Sequence, residues 1–238
     1  MKEILLMIPG TLCDVNLFEN QQIGISDLAN CQVVDCSRCD SLADMATLIL
    51  SEIEGNFALL GFSYGGIIAF EIMRQAPQRV TRLILLNTNY KAPSEATITS
   101  QKKYLKMVET GDFRKITTDF TKDSMLHPNH VKNIEIREKV LRMALNVGEL
   151  GFINQVKSQL NRLDSTDDLP KINCPTLIIT GREDRICPPV LHEEMARLIP
   201  NSTLIIIEEC GHLTTLEQPE IVNDTIRKWW LNVKDNDA

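Results

Sequence analysis

Long apolar segments and runs of basic residues are both missing from this chain of 238 residues. Its first apolar run, Ile4–Ile8, is too short for the core of a signal peptide or for a membrane span. The 25 lysines and arginines are scattered and the net charge is −7, whereas nucleic acids and anionic membranes are bound through basic surfaces. We therefore expect a cytoplasmic protein that has neither nucleic acid nor membrane as a partner. Its oligomeric state stays open.

Aromatic residues are also few, at 5% of the chain. Trp229 and Trp230 fall in a terminal segment with helical spacing. We expect them to anchor that helix to the core rather than to bind a ligand.

Disulfide bonds are not expected, although the chain has seven cysteines. The number is odd, the spacings are irregular, and thiols stay reduced where no secretory signal is present. Cys31, Cys36 and Cys39 repeat the C-x4-C-x2-C spacing of plant-type iron–sulfur proteins. A cluster needs converging ligands, whereas Cys31 and Cys36 are separated along a predicted strand and would point to opposite faces. We predict buried or half-buried thiols and no metal.

Six short runs rich in Ile, Leu and Val predict the strands of a parallel sheet. They are near-continuously apolar, which is typical of strands buried on both faces. Segments with helical spacing alternate with them, so we predict a doubly wound, mainly parallel α/β sheet with its active site at the carboxyl ends of the strands. The predicted strands are Glu3–Ile8, Gln32–Cys36, Phe57–Phe62, Arg82–Asn87, Thr176–Thr180 and Thr203–Glu208, and the predicted core helices are Asp14–Ala29, Ser41–Glu54, Tyr64–Gln75, Val190–Leu198 and Glu217–Leu231.

A long stretch between the fourth and fifth predicted strands contains no strand. Amphipathic helical spacing recurs in it, at Ser100–Glu109, Phe113–Phe120, Val131–Asn146 and Glu149–Leu163. We predict a helical cap formed by 91–171 over a core formed by 1–90 and 172–238. A second independent domain is the alternative, and the few apolar residues in each helix argue against it.

The third predicted strand runs directly into Gly61-Phe62-Ser63-Tyr64-Gly65 and then into a helix. This is the G-x-S-x-G nucleophile elbow in the strand–turn–helix context that it requires. A sharp turn exposes the serine hydroxyl above the sheet, and the flanking glycines leave room for the backbone to approach closely. A glycine-rich turn with an incidental serine is the alternative. We predict that Ser63 is a nucleophile.

An acid and a base follow later strands at the same edge of the sheet. Asp184 comes after the fifth strand, and His212 comes after the sixth. A serine needs a base to take its proton, and the base needs an acid to hold its tautomer. Glu183 competes for the acid role, but Asp184 stands three residues after Gly181, the glycine that ends the strand. We predict the triad Ser63, Asp184 and His212; the other three histidines lie in a loop and a helix and are expected to be solvated or structural.

Negative charge that develops on a carbonyl oxygen must also be stabilised. The backbone N–H of Tyr64, directly after the nucleophile, is one expected donor. The second should come from the loop after the first strand, where Thr11 and Leu12 are both candidates.

Four motifs together resemble the α/β-hydrolase superfamily. They are Pro9-Gly10-Thr11-Leu12-Cys13-Asp14, Gly61-Phe62-Ser63-Tyr64-Gly65-Gly66, Gly181-Arg182-Glu183-Asp184 and Gly211-His212, and they extend over the whole chain. The nearest shape is that of small capped serine hydrolases similar to pimeloyl-carrier-protein methyl esterase and 3-oxoadipate enol-lactonase. This resemblance implies catalysis by Ser63, Asp184 and His212 without metal or cofactor, and it prefers the amides of Thr11 and Tyr64 as oxyanion donors. Pro9 departs from the histidine of many relatives, and because residue 3 already begins the strand before the oxyanion loop, we expect the two strands that usually begin the sheet to be absent.

The resemblance implies a small-molecule acyl substrate, and a carboxylic ester, thioester or lactone is the leading expectation. Apolar residues could line the acyl pocket or only pack the cap helices together; they are Leu12, Phe113, Phe120, Met125, Met143 and Phe152.

Two other functions stay open. One is a lyase similar to the menaquinone-pathway synthase, which would need a basic pocket for an acidic substrate. Candidate arginines for that pocket are Arg114, Arg137, Arg142 and Arg162. The other is a ligand receptor without enzymatic activity, built on the same fold.

Overall fold

The computed structural model describes residues 2–119 and 124–233, which contain a six-stranded sheet. The strands are β1 (Ile4–Ile8), β2 (Asn30–Val33), β3 (Phe57–Phe62), β4 (Val80–Leu86), β5 (Thr176–Gly181) and β6 (Ser202–Ile207). Every pair is parallel, and the spatial order is β2-β1-β3-β4-β5-β6. The prediction of a parallel α/β sheet is therefore confirmed.

Helices connect the strands and follow the last one. They are α1 (Glu19–Gly24), α2 (Leu42–Glu52), α3 (Tyr64–Gln75), α4 (Glu95–Glu109), α5 (Phe113–Asp119), α6 (Ile134–Leu160), α7 (Pro189–Leu198), α8 (Thr214–Glu217) and α9 (Pro219–Asn232). Within the described part of the chain, no helix combines the length and the apolar character needed to cross a bilayer.

The sheet is covered on both faces, as its continuous apolar strands predict. All six residues of β3 are buried. Successive side chains alternate between the two faces, so Ala58 and Leu60 join one apolar cluster while Leu59 joins the other. The first cluster contains Trp229 and Trp230 of α9, and the expectation that this pair anchors the terminal helix is confirmed.

The second strand is shifted from its predicted position. Gln32–Cys36 was expected, whereas β2 covers Asn30–Val33. An edge strand is limited by its single neighbour, and β1 pairs with it from Ile4 opposite Asn30 to Met7 opposite Val33. Beyond that point one further backbone bond forms, in which the Val34 N–H donates to the carbonyl of Met7 at 3.1 Å, and the pairing with β1 then ends.

The cysteines of the C-x4-C-x2-C spacing are divided between the two faces of the sheet. Cys31 packs against one apolar cluster, while Cys36 and Cys39 pack in or against the other. All seven cysteines are free thiols, and burial raises the pKa of Cys36 to about 12.

The predicted helix Asp14–Ala29 forms only in part. The Asp14 carboxylate accepts the N–H of Asn16 at 2.9 Å and opens a 3₁₀ turn at Val15–Phe18, which is followed by the short helix α1. Capping by a short acidic side chain favours this tight turn at the start of a helix.

The helices α4, α5 and α6 fall in the segment predicted as a cap; they follow β4 in the chain and precede β5. The segments expected as Val131–Asn146 and Glu149–Leu163 form α6, which is broken at Gly148, where φ is 70°. A left-handed residue cannot continue a right-handed helix. Around this break the cap buries an apolar cluster that includes Val108, Ile116 and Phe152.

Candidate active site

Ser63 occupies a sharp turn between β3 and α3. Its φ of 52° is unusual for a residue that is not glycine. The turn is held because the Ser63 N–H donates to the carbonyl of Leu86 at 2.9 Å, and the Thr88 hydroxyl donates to the carbonyl of Ser63 at 2.7 Å. Two neighbours from β4 and its following loop thus fix a strained conformation that would otherwise relax.

Glycine is required on both sides of this turn for lack of space. A Cβ atom on Gly61 would lie 2.5 Å from the carbonyl oxygen of Gly65. A Cβ atom on Gly65 would lie 2.0 Å from the carbonyl oxygen of Ile8 in β1. The spacing of the motif therefore reflects how closely the start of α3 approaches the strands β1 and β3.

The three predicted triad residues meet above the carboxyl ends of the strands. The Ser63 Oγ atom lies 3.1 Å from His212 Nε2, and His212 Nδ1 lies 2.8 Å from Asp184 Oδ2. Since a carboxylate only accepts hydrogen bonds, Nδ1 carries the proton and Nε2 is left to accept the serine hydroxyl. His212 and Asp184 are each only 2% exposed.

Asp184 is held by hydrogen bonds on both carboxylate oxygens. Oδ1 accepts the backbone N–H groups of Ile186 and Cys187, each at 2.8 Å, and Oδ2 also accepts Asn87 Nδ2 at 2.9 Å. Burial acts to raise the pKa of Asp184, but His212 and these donors outweigh it and hold the pKa below its usual value. The acid is therefore ionised and fixed in orientation.

Glu183, the competing acid, points elsewhere. Its carboxylate accepts the backbone N–H of Cys210 at 3.0 Å and makes no bond to His212. The one-residue difference in position decides which carboxylate faces the imidazole.

A second buried carboxylate holds the loop that carries His212. Glu217 Oε1 accepts the N–H groups of Gly211 and Leu213, the two residues that flank the histidine. Its Oε2 accepts the N–H of His127 at 2.7 Å and contacts His130 Nδ1 at 3.0 Å. These bonds connect the histidine loop to the cap loop. Its role was not predicted, since Glu217 stood at the start of a predicted helix, where an acidic residue is ordinary; in the structure it ends α8.

The two expected oxyanion donors are available to a ligand. Among the described residues, the N–H groups of Thr11 and Tyr64 have no acceptor. The Leu12 N–H, the alternative donor, is engaged by Oε1 of Gln155 at 2.9 Å. Leu12 itself has a φ of 56°. Gln155 lies on α6 and is fully buried, so a cap side chain holds the loop that follows β1.

His192 supports the site from behind. It is fully buried in α7, and its Nε2 accepts the N–H of Thr88 at 3.0 Å. Burial lowers its pKa to about 4. Of the two alternatives, solvated or structural, the structure shows the structural one.

A cavity of about 540 Å³ opens above Ser63, and His212 lies in its wall. Of the six predicted pocket residues, Met125 and Phe152 line it, while Phe120 lies outside the described residues. The prediction needs correction at Leu12, Phe113 and Met143. Leu12 and Phe113 pack in the apolar cluster that includes Val108, Ile116 and Phe152, and Met143 packs in the core. These three side chains are used for packing and do not line the cavity.

One of the four candidate arginines reaches this cavity. Arg162 lines it and is 8% exposed. Arg114 and Arg142 are exposed at the surface, and Arg137 donates to the carbonyl of Val131.

Comparison with known proteins agrees with this architecture. A family model described as "alpha/beta hydrolase fold" matches residues 24–219. A Mycobacterium tuberculosis protein that carries the name non-heme bromoperoxidase BpoC is 26% identical over 91% of this chain and 82% of its own length. A pimeloyl-[acyl-carrier protein] methyl ester esterase from Nitrosomonas europaea is 26% identical over 78% of this chain and 75% of its own length. The structure of a thermophilic esterase from Thermogutta terrifontis superimposes with a TM-score of 0.87, 28% identity and coverage of 96% of this chain and 89% of that one.

The fold and the site define a parallel α/β protein with a serine, a histidine and an aspartate at the sheet edge. The chain belongs to the alpha/beta hydrolase fold family, and the resemblance of its motifs to that family is confirmed.

Proposed function

We propose that this protein is a carboxylic-ester hydrolase that cleaves a small or medium ester, thioester or lactone through an acyl-enzyme on Ser63. One observation carries the proposal: the His212 ring bridges the Ser63 hydroxyl and the Asp184 carboxylate at 3.1 Å and 2.8 Å. Such a bridge activates a hydroxyl that is otherwise a weak nucleophile.

In the first half of the reaction, Ser63 Oγ attacks the carbonyl carbon of the substrate and His212 Nε2 takes the serine proton. Asp184 stabilises the imidazolium that forms. The oxygen of the tetrahedral intermediate accepts hydrogen bonds from the N–H groups of Thr11 and Tyr64. These donors are held in place before the reaction and stabilise the negative charge that develops only at this stage. His212 then gives its proton to the leaving alcohol or thiol, and the acyl group stays on Ser63.

In the second half, a water molecule replaces the leaving group. His212 takes one proton from this water, and the resulting hydroxide attacks the acyl-enzyme. The second tetrahedral intermediate collapses, Ser63 regains its proton from His212, and the carboxylic acid is released. The overall reaction consumes one ester and one water and needs no cofactor.

A series of p-nitrophenyl acyl esters tests this proposal. We expect the wild-type protein to release a burst of p-nitrophenol in proportion to enzyme, and the Ser63→Ala variant to release none. Equal hydrolysis by the two proteins would contradict the proposal, because the reaction would then not pass through Ser63.

A lyase that uses the same three residues is the second candidate. Arg162 in the cavity wall favours it, because such an enzyme needs a basic group to bind an acidic substrate. A lyase would keep the reactive serine but turn over no ester. Inertness both to esters and to a fluorophosphonate probe would instead favour a receptor.

A further inference from the structure

Arg162 is a buried cation without an ionic partner. It follows the end of α6 and is 8% exposed. Its Nε donates to the carbonyl of Lys91 at 2.9 Å, which fixes the guanidinium at the cavity wall. Across residues 2–119 and 124–233, no carboxylate forms an ion pair with it, and its remaining N–H groups donate to no protein acceptor.

Other enclosed arginines of this chain have partners. Arg82, which is 7% exposed, pairs with Glu3. Arg74 pairs with Glu71 at 2.8 Å and with Asp168 at 2.7 Å. Removing a charge from water is costly, so a buried charged side chain is normally paired with an opposite charge and hydrogen-bonded. Burial also lowers the pKa of Arg162. The remaining N–H groups of Arg162 are reached from the cavity that it lines, so an anion that enters the cavity can accept hydrogen bonds from them.

The charge of the cavity agrees with this. A second arginine, Arg185 on the loop after β5, also lines it, and the described lining residues include no aspartate or glutamate. The chain as a whole has a net charge of −7. The described lining residues thus carry two guanidinium groups and no carboxylate, opposite in sign to the net charge of the protein, and a positively charged lining favours anionic ligands through electrostatic focusing.

We propose that the cavity takes a substrate with a free carboxylate in addition to its ester, thioester or lactone group, and that Arg162 binds this carboxylate while the reacting carbonyl lies at Ser63. The proposal rests on the proposed hydrolase function. A planar guanidinium with several N–H donors suits a carboxylate, which can accept two of them side by side.

The test compares half-esters of dicarboxylic acids with neutral esters of the same shape. Monoethyl succinate, glutarate and adipate are each paired with the ethyl ester whose distal carboxylate is replaced by a carboxamide, and kcat/KM is measured for each. A hydrogen-bonded charge pair predicts a preference of about tenfold or more for the carboxylate at the best chain length.

Three variants locate the preference. Arg162→Met should bring the ratio close to one, and Arg162→Lys, which keeps the charge but loses the planar fork, should give an intermediate ratio. Arg142→Met removes an exposed charge from α6 away from the cavity and should keep the wild-type ratio. A wild-type ratio near one at all three lengths, or an unchanged ratio in Arg162→Met, would overturn the carboxylate site.

A binding experiment separates this result from failure of the hydrolase proposal. Calorimetry measures the Kd of monoethyl glutarate for Ser63→Ala and for Ser63→Ala combined with Arg162→Met. If the wild-type protein turns over no ester, but the double variant binds monoethyl glutarate at least about tenfold more weakly than Ser63→Ala does, the carboxylate site stands and the hydrolase proposal fails. If neutral esters are cleaved while half-esters are neither bound nor preferred, the hydrolase stands and the carboxylate site fails. Binding of inorganic phosphate in place of the half-ester would contradict the choice of carboxylate.

Discussion

The contact between Gln155 and the loop after β1 makes a sharp prediction about catalysis. Replacing Gln155 by Met keeps the size of the side chain but removes the acceptor that Leu12 N–H uses at 2.9 Å. The contact is fully buried, and an unpaired buried donor costs about 1–3 kcal/mol. Leu12 is held at a φ of 56°, a left-handed conformation that costs about 1–3 kcal/mol by itself. The free energy lost with the hydrogen bond is thus comparable to the conformational strain of Leu12 that the bond maintains. We therefore expect the loop after β1 to relax in Gln155→Met.

Relaxation of this loop should displace the Thr11 amide, which precedes Leu12 in the same turn. Loss of one oxyanion donor lowers kcat by about 10²–10³. A donor that is displaced rather than deleted should cost less, and we expect kcat to fall about 10- to 100-fold in Gln155→Met. KM should change less than about threefold, because these donors act on charge that forms in the transition state.

Steady-state ester hydrolysis and urea unfolding test this together. The matched control is Asn154→Leu, which removes a bond of 2.9 Å from α6 to the carbonyl of Ser37 and leaves the loop after β1 untouched. We expect a normal kcat in the control and a stability loss of about 1–3 kcal/mol in Gln155→Met. A normal kcat in Gln155→Met despite that stability loss would refute the reasoning. A raised KM with normal kcat would assign Gln155 to substrate binding instead.

Three further predictions concern the site and its support. His212→Ala should lower kcat at least about a thousandfold in the same assay; a smaller loss would mean that another base serves. Gly65→Ala should prevent soluble expression or strongly lower the melting temperature, because its Cβ would lie 2.0 Å from the carbonyl oxygen of Ile8. The control is Gly55→Ala, whose Cβ would have no atom within 4 Å. It should lower the free energy of unfolding by only about 1–2 kcal/mol, for its left-handed φ. His192 has a pKa of about 4 when folded and about 6.5 when unfolded. Because the unfolded chain then binds the proton first, stability should fall as pH drops below about 6.5, by about 2 kcal/mol between pH 7 and pH 5 in urea titrations. This part of the pH dependence should be missing in His192→Gln, and an equal fall in both proteins would exclude His192 as its source.

The parts of the fold that could be predicted are those with a strong local signal. The strand Phe57–Phe62 and the helix Tyr64–Gln75 form with the predicted ends, because a continuous apolar run, a glycine-flanked turn and a proline after the helix fix them locally. The edge strand β2 was displaced, since its limits depend on β1 and not on its own residues. The division into a core and a cap at 91–171 stays a prediction.

The residues that could not be predicted act through contacts distant in sequence. Gln155 meets Leu12 across 143 positions, and Asn87 meets Asp184 across 97. Asn87 left a weak signal, since it is a polar residue at the carboxyl end of a strand. Gln155 left none, because one amide on a helical cap segment is indistinguishable from a surface residue until the helix is placed over the sheet.

The most direct test of the central claim is to locate the covalent adduct. The protein is treated with a fluorophosphonate, or mixed rapidly with a slowly released acyl ester, and then analysed by intact and peptide mass spectrometry. The account predicts one adduct per chain, on Ser63, that disappears in Ser63→Ala and forms far more slowly in His212→Ala. An adduct on any other residue, or undiminished labelling of Ser63→Ala, would contradict it.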